Sequence, residues 1–466
     1  MDRQRSSGSE TLIATMATAP SIDISAVRKT STSALDSIVF YGSFGLLSFA
    51  PLAFGAVEPW AIFVMEATAA LLFTLWAVRQ FQTGELRISD NPLFRPMLAF
   101  GVLVALQLAT GSTAYRWATS SNALLYGAYG MLCFLVVQSL RRTRQVRTLA
   151  WAFSIYGFAV ATFALMQSMS ANGKLYWLRT PRSGGWIYGP YVNHNHYAGL
   201  MEMLVPVPLV VALSRQVHGP RKRLAIVAAS VMASSIFLSG SRGGMTALAV
   251  QLSLLAAFTI RKDKEKEESR KPVLAIAVFL VILVGLLAWL GGGELTQRLA
   301  SIHTEAQQEL SEGTRLAMDR DGLKMFARKP VLGWGLGVFP EVYPQFRSFY
   351  TNFFVNAAHN DYVQLLVETG LLGFAVLLWY VVVLYRSALK KTRNWTTDTS
   401  GAVALAALLG CTGILVHSFL DFNLQIPANA ALFYVLSVIA AMEPRFGLTR
   451  HRSLSRSREL ISQLSA

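Results

Sequence analysis

Apolar and polar positions fall into long blocks along this chain rather than into short alternations. Runs close to the roughly 20 residues needed to cross hydrocarbon recur at about 37–55, 58–78, 93–110, 120–140, 148–169, 196–214, 223–240, 244–260, 272–290, 361–385, 400–418 and 428–442. Core helices of water-soluble proteins are usually shorter and alternate with amphipathic ones. The pattern predicts an all-α integral membrane protein with about 12 transmembrane helices. It divides the chain into a tail over 1–36, a polytopic membrane domain over 37–442 and a basic tail over 443–466. One large late loop, 291–360, interrupts the membrane domain and is the only connection long enough for a small subdomain of its own.

Composition agrees: 53% of the residues are hydrophobic and 15% charged, too apolar for an ordinary soluble domain. The net charge of +16 would suit a nucleic-acid binder if it formed one patch. It does not. Arg141, Arg142, Arg144 and Arg147, then Arg215, Arg221, Lys222 and Arg223, then the clusters at 261–271 and 386–394 and the C-terminal arginines all occupy alternate loops. With an even number of crossings these loops share one side with both termini, which the positive-inside rule makes the cytoplasmic face. The Ser- and Thr-rich start has no continuous apolar core, so no signal peptide is expected. Cys133 and Cys411 both lie inside apolar runs and read as small packing residues.

Polar chemistry gathers in the outward connections. Within the late loop, 312–330 reads as an amphipathic helix ended by Pro330, with Leu316, Leu323 and Phe326 on one apolar stripe and Arg315, Asp319 and Lys324 off it. Gly333, Gly335 and Gly337 follow; no strand precedes them, so they read as a flexible turn and not a nucleotide loop. Asp319 and Asp321 form a D-x-D string, too little on one helix to indicate a metal-dependent sugar-nucleotide transferase.

Five features carry candidate chemistry. Arg242 in GSRGG is either a snorkelling arginine in a tight turn or, since its small neighbours leave the guanidinium open, an anion site of the forked kind that suits phosphate. His359 precedes the tenth helix, where Asn360 or Asp361 can cap and Asp361, Gln364 and Glu368 share a face; it can pack there or act as a general base. Asn193, His194, Asn195 and His196 open the sixth helix with no acidic or thiol partner at ligand spacing, so they fit hydrogen bonding to sugar or phosphate better than a metal. Tyr176, Trp177, Trp186, Tyr188 and Tyr191 upstream can stack on sugar rings or form an interfacial belt. Arg315 offers a second cation. His417 and Asp421, at i and i+4, are costly to expose to lipid and are expected to face protein or a cavity.

Taken in order, SRGG with Arg242, Arg315 through PVLGWGLGVF at 330–339, HNDYVQLLVETGLLG with His359, HSFLDFNLQIPAN and NHNHYAG resemble the O-antigen ligase and polymerase family over about 185–440. The resemblance implies a GT-C-like membrane glycosyltransferase with its late periplasmic loop holding short amphipathic helices. It implies an enzyme that inverts, needs no metal or cofactor, and moves a glycan from undecaprenyl diphosphate to an acceptor hydroxyl on the periplasmic face. Carried onto this chain, Arg242 and Arg315 hold the diphosphate and His359 activates the acceptor, with Asn193, His194, Asn195, His196, Asp361, His417 and Asp421 lining the substrates. A ligase acting on lipid A core in lipopolysaccharide biosynthesis is favoured. An O-antigen or exopolysaccharide polymerase and a protein O-oligosaccharyltransferase share the donor chemistry. The rival from another class is a transporter for a lipid-linked glycan, for which Glu66, within a membrane run, is the main feature.

Overall fold

The computed structural model describes residues 34–84, 86, 88–181, 186–264, 276–289, 312–351 and 354–442. The expected tail over 443–466, most of the tail over 1–36 and the stretch 291–311 of the late loop lie outside the described residues. Among those described the chain is helical throughout, with no β-strand beyond two isolated bridges.

The helices are α1 (Ala34–Leu52), α2 (Pro59–Thr83), α3 (Phe94–Thr110), α4 (Arg116–Ser139), α5 (Thr143–Met169), α6 (His194–Leu204), α7 (Pro206–Leu213), α8 (Gly219–Ser239), α9 (Arg242–Lys264), α10 (Ile276–Trp289), α11 (Glu312–Arg328), α12 (Asp361–Lys391), α13 (Thr399–His417) and α14 (Pro427–Ala441). Among the described residues nine spans are long and apolar enough to cross a membrane, α6 and α7 counting as one, and α3, α10 and α14 are shorter apolar helices. The protein is thus a multi-pass membrane protein, and the nine spans together with the three shorter helices coincide with the twelve hydrophobic runs.

Helix α13 is the axis of the bundle. Nearly all its side chains are buried, and it packs on α6, α7, α9 and α14. Its start is set by Asp398, whose carboxylate accepts the Gly401 N–H at 2.8 Å. Helices α6 and α14 are also buried along almost their whole length, whereas α2 and α3 keep exposed leucine and phenylalanine side chains of the kind a bilayer covers.

The glycine-rich segment after α11 is a built joint. Gly370 breaks α12 with φ 63° and ψ −163°, a conformation open almost only to glycine. The N–H groups of Leu371 and Leu372, released by the break, donate instead to the carbonyls of Pro330 and Val331 at 2.8 and 3.3 Å. Gln107 on α3 bridges the joint, donating to the Leu332 and Glu368 carbonyls at 2.6 and 2.8 Å. Glu368 accepts the Gly337 N–H at 2.8 Å. The expected flexible turn is therefore a docked one: positive φ at Gly333, Gly335 and Gly337 lets its backbone lie against α12.

Helix α11 forms where expected but presents another face. Met318 and Met325 are fully buried, while Leu316 and Leu323 are about half exposed. The reason is Gly322, where a Cβ would stand 2.6 Å from Val363; it lets α11 press against α12 on the Met318–Gly322–Met325 side and turns the leucines outward.

Candidate functional site

The polar residues singled out in the sequence converge on one end of the bundle, around the connector between α13 and α14. Each is placed by simple local chemistry. Gly240 ends α8 in the left-handed region (φ 77°), and the Ser241 hydroxyl then accepts the Gly244 N–H at 3.1 Å, starting α9 with Arg242 exposed at its first turn. A Cβ on Gly243 would fall 2.3 Å from the His417 ring, and one on Gly244 2.7 Å from Ala198. The glycines of SRGG thus seat α9 on α13 and α6, and Arg242 rides beside that contact.

Asn193 caps α6, accepting the Asn195 N–H at 2.8 Å. His194 Nδ1 lies 2.8 Å from the Ser239 carbonyl, and its ring stacks on Trp186 with centroids 4.4 Å apart. Asn195 and His196 are buried; the His196 carbonyl accepts Asn429 Nδ2 at 2.9 Å, and Gly199 leaves the room that Asn423 occupies. Tyr188 and Tyr191 are buried in the core, with the Tyr191 hydroxyl donating to Asn429 at 2.9 Å, so neither presents a face to sugar or to the membrane interface.

His359 adopts φ 53°, in the left-handed region that a histidine rarely enters. Backbone strain of this kind persists where the surroundings over-determine it, and sites of function are its usual setting. Asn360 follows as the cap of α12, accepting the Tyr362 and Val363 N–H groups at 3.1 and 3.2 Å. His359 Nδ1 lies 3.4 Å from Asp421 Oδ1, at ion-pair distance but off hydrogen-bond geometry. Phe422 lies edge-on to both imidazoles, its centroid 4.7 Å from that of His359 and 4.7 Å from that of His196. Burial alone would raise the Asp421 pKa; the His359 ring, with His196 and Arg315 beyond it, outweighs burial and holds the carboxyl well below its ordinary range.

Arg315 on α11 donates from Nη1 to the Leu420 carbonyl at 3.3 Å, which brings the late loop to the same connector. One turn on, Asp319 lies beside Asn360 and His359, and burial raises its pKa against the pull of those two neighbours. Asp321, the other acid of the D-x-D string, is fully buried and spent on structure, bound to Lys324 at 3.1 Å and the Ser348 N–H at 2.8 Å.

Two candidates are buried within the protein. Asp361 accepts from Ser418 Oγ at 2.8 Å, the Leu424 N–H at 3.0 Å and Gln425 Nε2 at 3.3 Å, pinning the start of α12 to the connector. His417 Nδ1 lies 3.0 Å from Glu202 Oε2, with both side chains at most 1% exposed.

The structure therefore gathers His359, Asp421 and His196 about Phe422, ties Arg315 to the same connector through Leu420, and sets Arg242 next to the Gly243–His417 contact. Sequence reasoning missed Phe422, named Asp319 without placing it in the site, and allowed Glu202 an internal pairing without naming His417 as its partner. Asp319 had a signal, since it stands one turn from Arg315 on the same helix, and Glu202 had one as an acid within an apolar run; Phe422 had none. Buried polar atoms without a hydrogen-bond partner among the described residues include His359 Nδ1, Asp421 Oδ2, His196 Nε2 and Asp319 Oδ1. Such atoms are expensive in a structural core and are the currency of a ligand site.

A family model described as O-antigen ligase matches residues 227–378. The match covers Arg242, Arg315, Asp319, His359 and Asp361 and stops short of His417 and Asp421. No curated protein matches the chain.

Proposed function

We propose that this chain, whose residues 227–378 match a family model described as O-antigen ligase, transfers a glycan from undecaprenyl diphosphate to an acceptor hydroxyl at the periplasmic face of the inner membrane. The observation that carries this reading is the strained His359 held against buried Asp421, with Arg315 tied to the same connector.

In the proposed reaction Asp421 faces His359 Nδ1, which leaves Nε2 to take the proton from the acceptor hydroxyl as its O–H bond breaks. The oxygen attacks the anomeric carbon from the side opposite the phosphate, forming the new glycosidic bond and inverting the centre. The anomeric carbon–phosphate oxygen bond breaks, and the electron pair leaves on undecaprenyl diphosphate. Arg242 and Arg315 neutralise that growing charge, as positioned cations do in other transfer reactions, and a diphosphate so held needs no metal to depart. Asn193, His194, Asn195 and His196 belong to the wall of the same site; Asp361 and His417 act on it through the connector they brace.

The acceptor favoured is lipid A core, which makes the protein a ligase; polymerisation of repeat units is the second reading. Purified protein, lipid-linked glycan and lipid A core, assayed in chelator, test the proposal directly. Transfer with an inverted anomeric centre is expected, and its loss in His359→Ala and Arg242→Ala. Full activity in both variants, with the protein correctly inserted, would rule the site out. Attachment of single repeats only, in cells deleted for the protein, would select the polymerase reading.

A further inference from the structure

A groove of about 630 Å³ runs between α3, α4, α12 and α14. Its lining on α3 extends from Phe94 to Leu108, a length of about 21 Å at the helical rise, and its walls are apolar side chains such as Met97, Val104, Leu365 and Phe433. The polar lip lies at the functional end, where Asp361 and Gln425 hydrogen-bond each other. Asp361 is two residues from His359, so the lip is within about 7 Å of chain from the candidate base.

Three helical glycines, Gly101, Gly127 and Gly130, line this groove, and a Cβ on any of them would meet nothing within 4 Å. Glycine inside a helix costs up to about 1 kcal/mol relative to alanine, and in membrane helices it usually serves close helix contact. Here no helix packs on it. The space is kept open.

The groove is separated from Arg242. Leu415 of α13 lines it, whereas His417, two residues on, lies against Gly243 beside Arg242. Two residues on an α-helix diverge by about 200°, so the groove and the Arg242 turn occupy opposite flanks of α13, and both reach the connector that carries Asp421. A donor whose diphosphate is held at Arg242 reaches the connector from one flank; the groove serves whatever arrives from the other.

We propose that this groove binds an apolar chain of a lipid-anchored acceptor, so that its head group, and the hydroxyl to be glycosylated, lies at the lip beside His359. The inference rests on the transferase reading above and narrows it, because a protein acceptor has no use for such a groove.

Gly127→Leu and Gly130→Leu fill the space, with Gly45→Leu, on α1 where a Cβ also meets nothing, as the control outside the groove. With lipid A core as acceptor, the groove variants are expected to raise its KM tenfold or more and to leave the KM for lipid-linked donor within about twofold. With deacylated lipid A core oligosaccharide, the variants and the unaltered protein should transfer at equal rates. A rise in the donor KM instead would assign the groove to the donor, and unchanged kinetics would leave it to bulk lipid; either result overturns the proposal. A binding readout separates this from failure of the transferase reading. A hexadecyl glycoside with a photoreactive chain should cross-link to peptides of α4 and α14, and less so in Gly130→Leu, whether or not turnover occurs; labelling that ignores the substitution counts against the groove.

Discussion

His417 Nδ1 and Glu202 Oε2 face each other at 3.0 Å across α13 and α6, with neither side chain reaching solvent. The pair stands at a crossing of structural constraints. The His417 ring lies on Gly243, and its carbonyl accepts the Leu420 and Asp421 N–H groups at 2.8 and 3.1 Å. Removing one partner of a buried pair strands the other, at a cost of about 3–5 kcal/mol. Glu202→Ala should therefore lower the unfolding free energy by roughly that amount in detergent, and Glu202→Gln by clearly less, because the amide still offers the ring a partner. Equal stability in both would show that the pair contributes nothing beyond its shape.

The His359–Asp421 contact predicts a dependent effect on turnover. General-base catalysis contributes about 10²–10⁴-fold, and Asp421→Asn should reduce kcat within that range while the protein stays folded. If Asp421 works only by holding His359, the double variant His359→Ala, Asp421→Asn should be no slower than His359→Ala alone. Additive losses would mean that Asp421 has a separate task.

Arg242 and Arg315 should each be irreplaceable by lysine. A guanidinium offers two parallel donors to a phosphate, whereas an ammonium acts as a point charge. Loss of one charge stabiliser is expected to cost about 2.7–4 kcal/mol in the transfer step, roughly 10²–10³-fold in kcat. Arg242→Lys and Arg315→Lys should recover only part of that, and full recovery would remove the case for forked recognition.

Acid should destabilise the site through Asp421. Its folded-state pKa lies well below the unfolded value of about 3.9, so the folded protein binds fewer protons. The stability it contributes is complete above about pH 4 and is lost as pH falls below that value. Asp319, raised by burial, acts in the opposite sense. The contribution of Asp421 is therefore read as the difference between the unaltered protein and Asp421→Asn: unfolding midpoints should diverge above pH 4 and draw together as the medium is acidified. A constant gap across that window would contradict the assignment.

The glycine seats give a packing test. A Cβ on Gly243 would intrude to 2.3 Å of the His417 ring, and one on Gly199 to 2.2 Å of Asn423. Overpacking of this kind costs about 1–3 kcal/mol. Gly243→Ala and Gly199→Ala should each lose that much stability, and Gly45→Ala, where nothing stands within 4 Å, should lose none. Thermal unfolding of the three in one detergent decides it.

The sequence by itself determined the membrane architecture and most of the candidate residues. Hydrocarbon admits only segments that satisfy their own backbone hydrogen bonds, so twelve apolar runs had to become helices, and polar groups outside them had to collect at the ends. His359 before α12, Arg242 in the small-residue turn GSRGG and Arg315 on α11 are all legible from such local rules. What only the tertiary structure decided is which of these groups meet. Asp421 is 62 residues from His359 along the chain, and Glu202 is 215 from His417; no periodicity spans such gaps, because contacts across the bundle depend on how glycines such as Gly199, Gly243 and Gly322 let the helices approach. Which face of α11 packs on α12 was not legible for the same reason: the absence of a side chain at Gly322 lets the Met318–Gly322–Met325 side approach, and hydrophobicity alone does not show that.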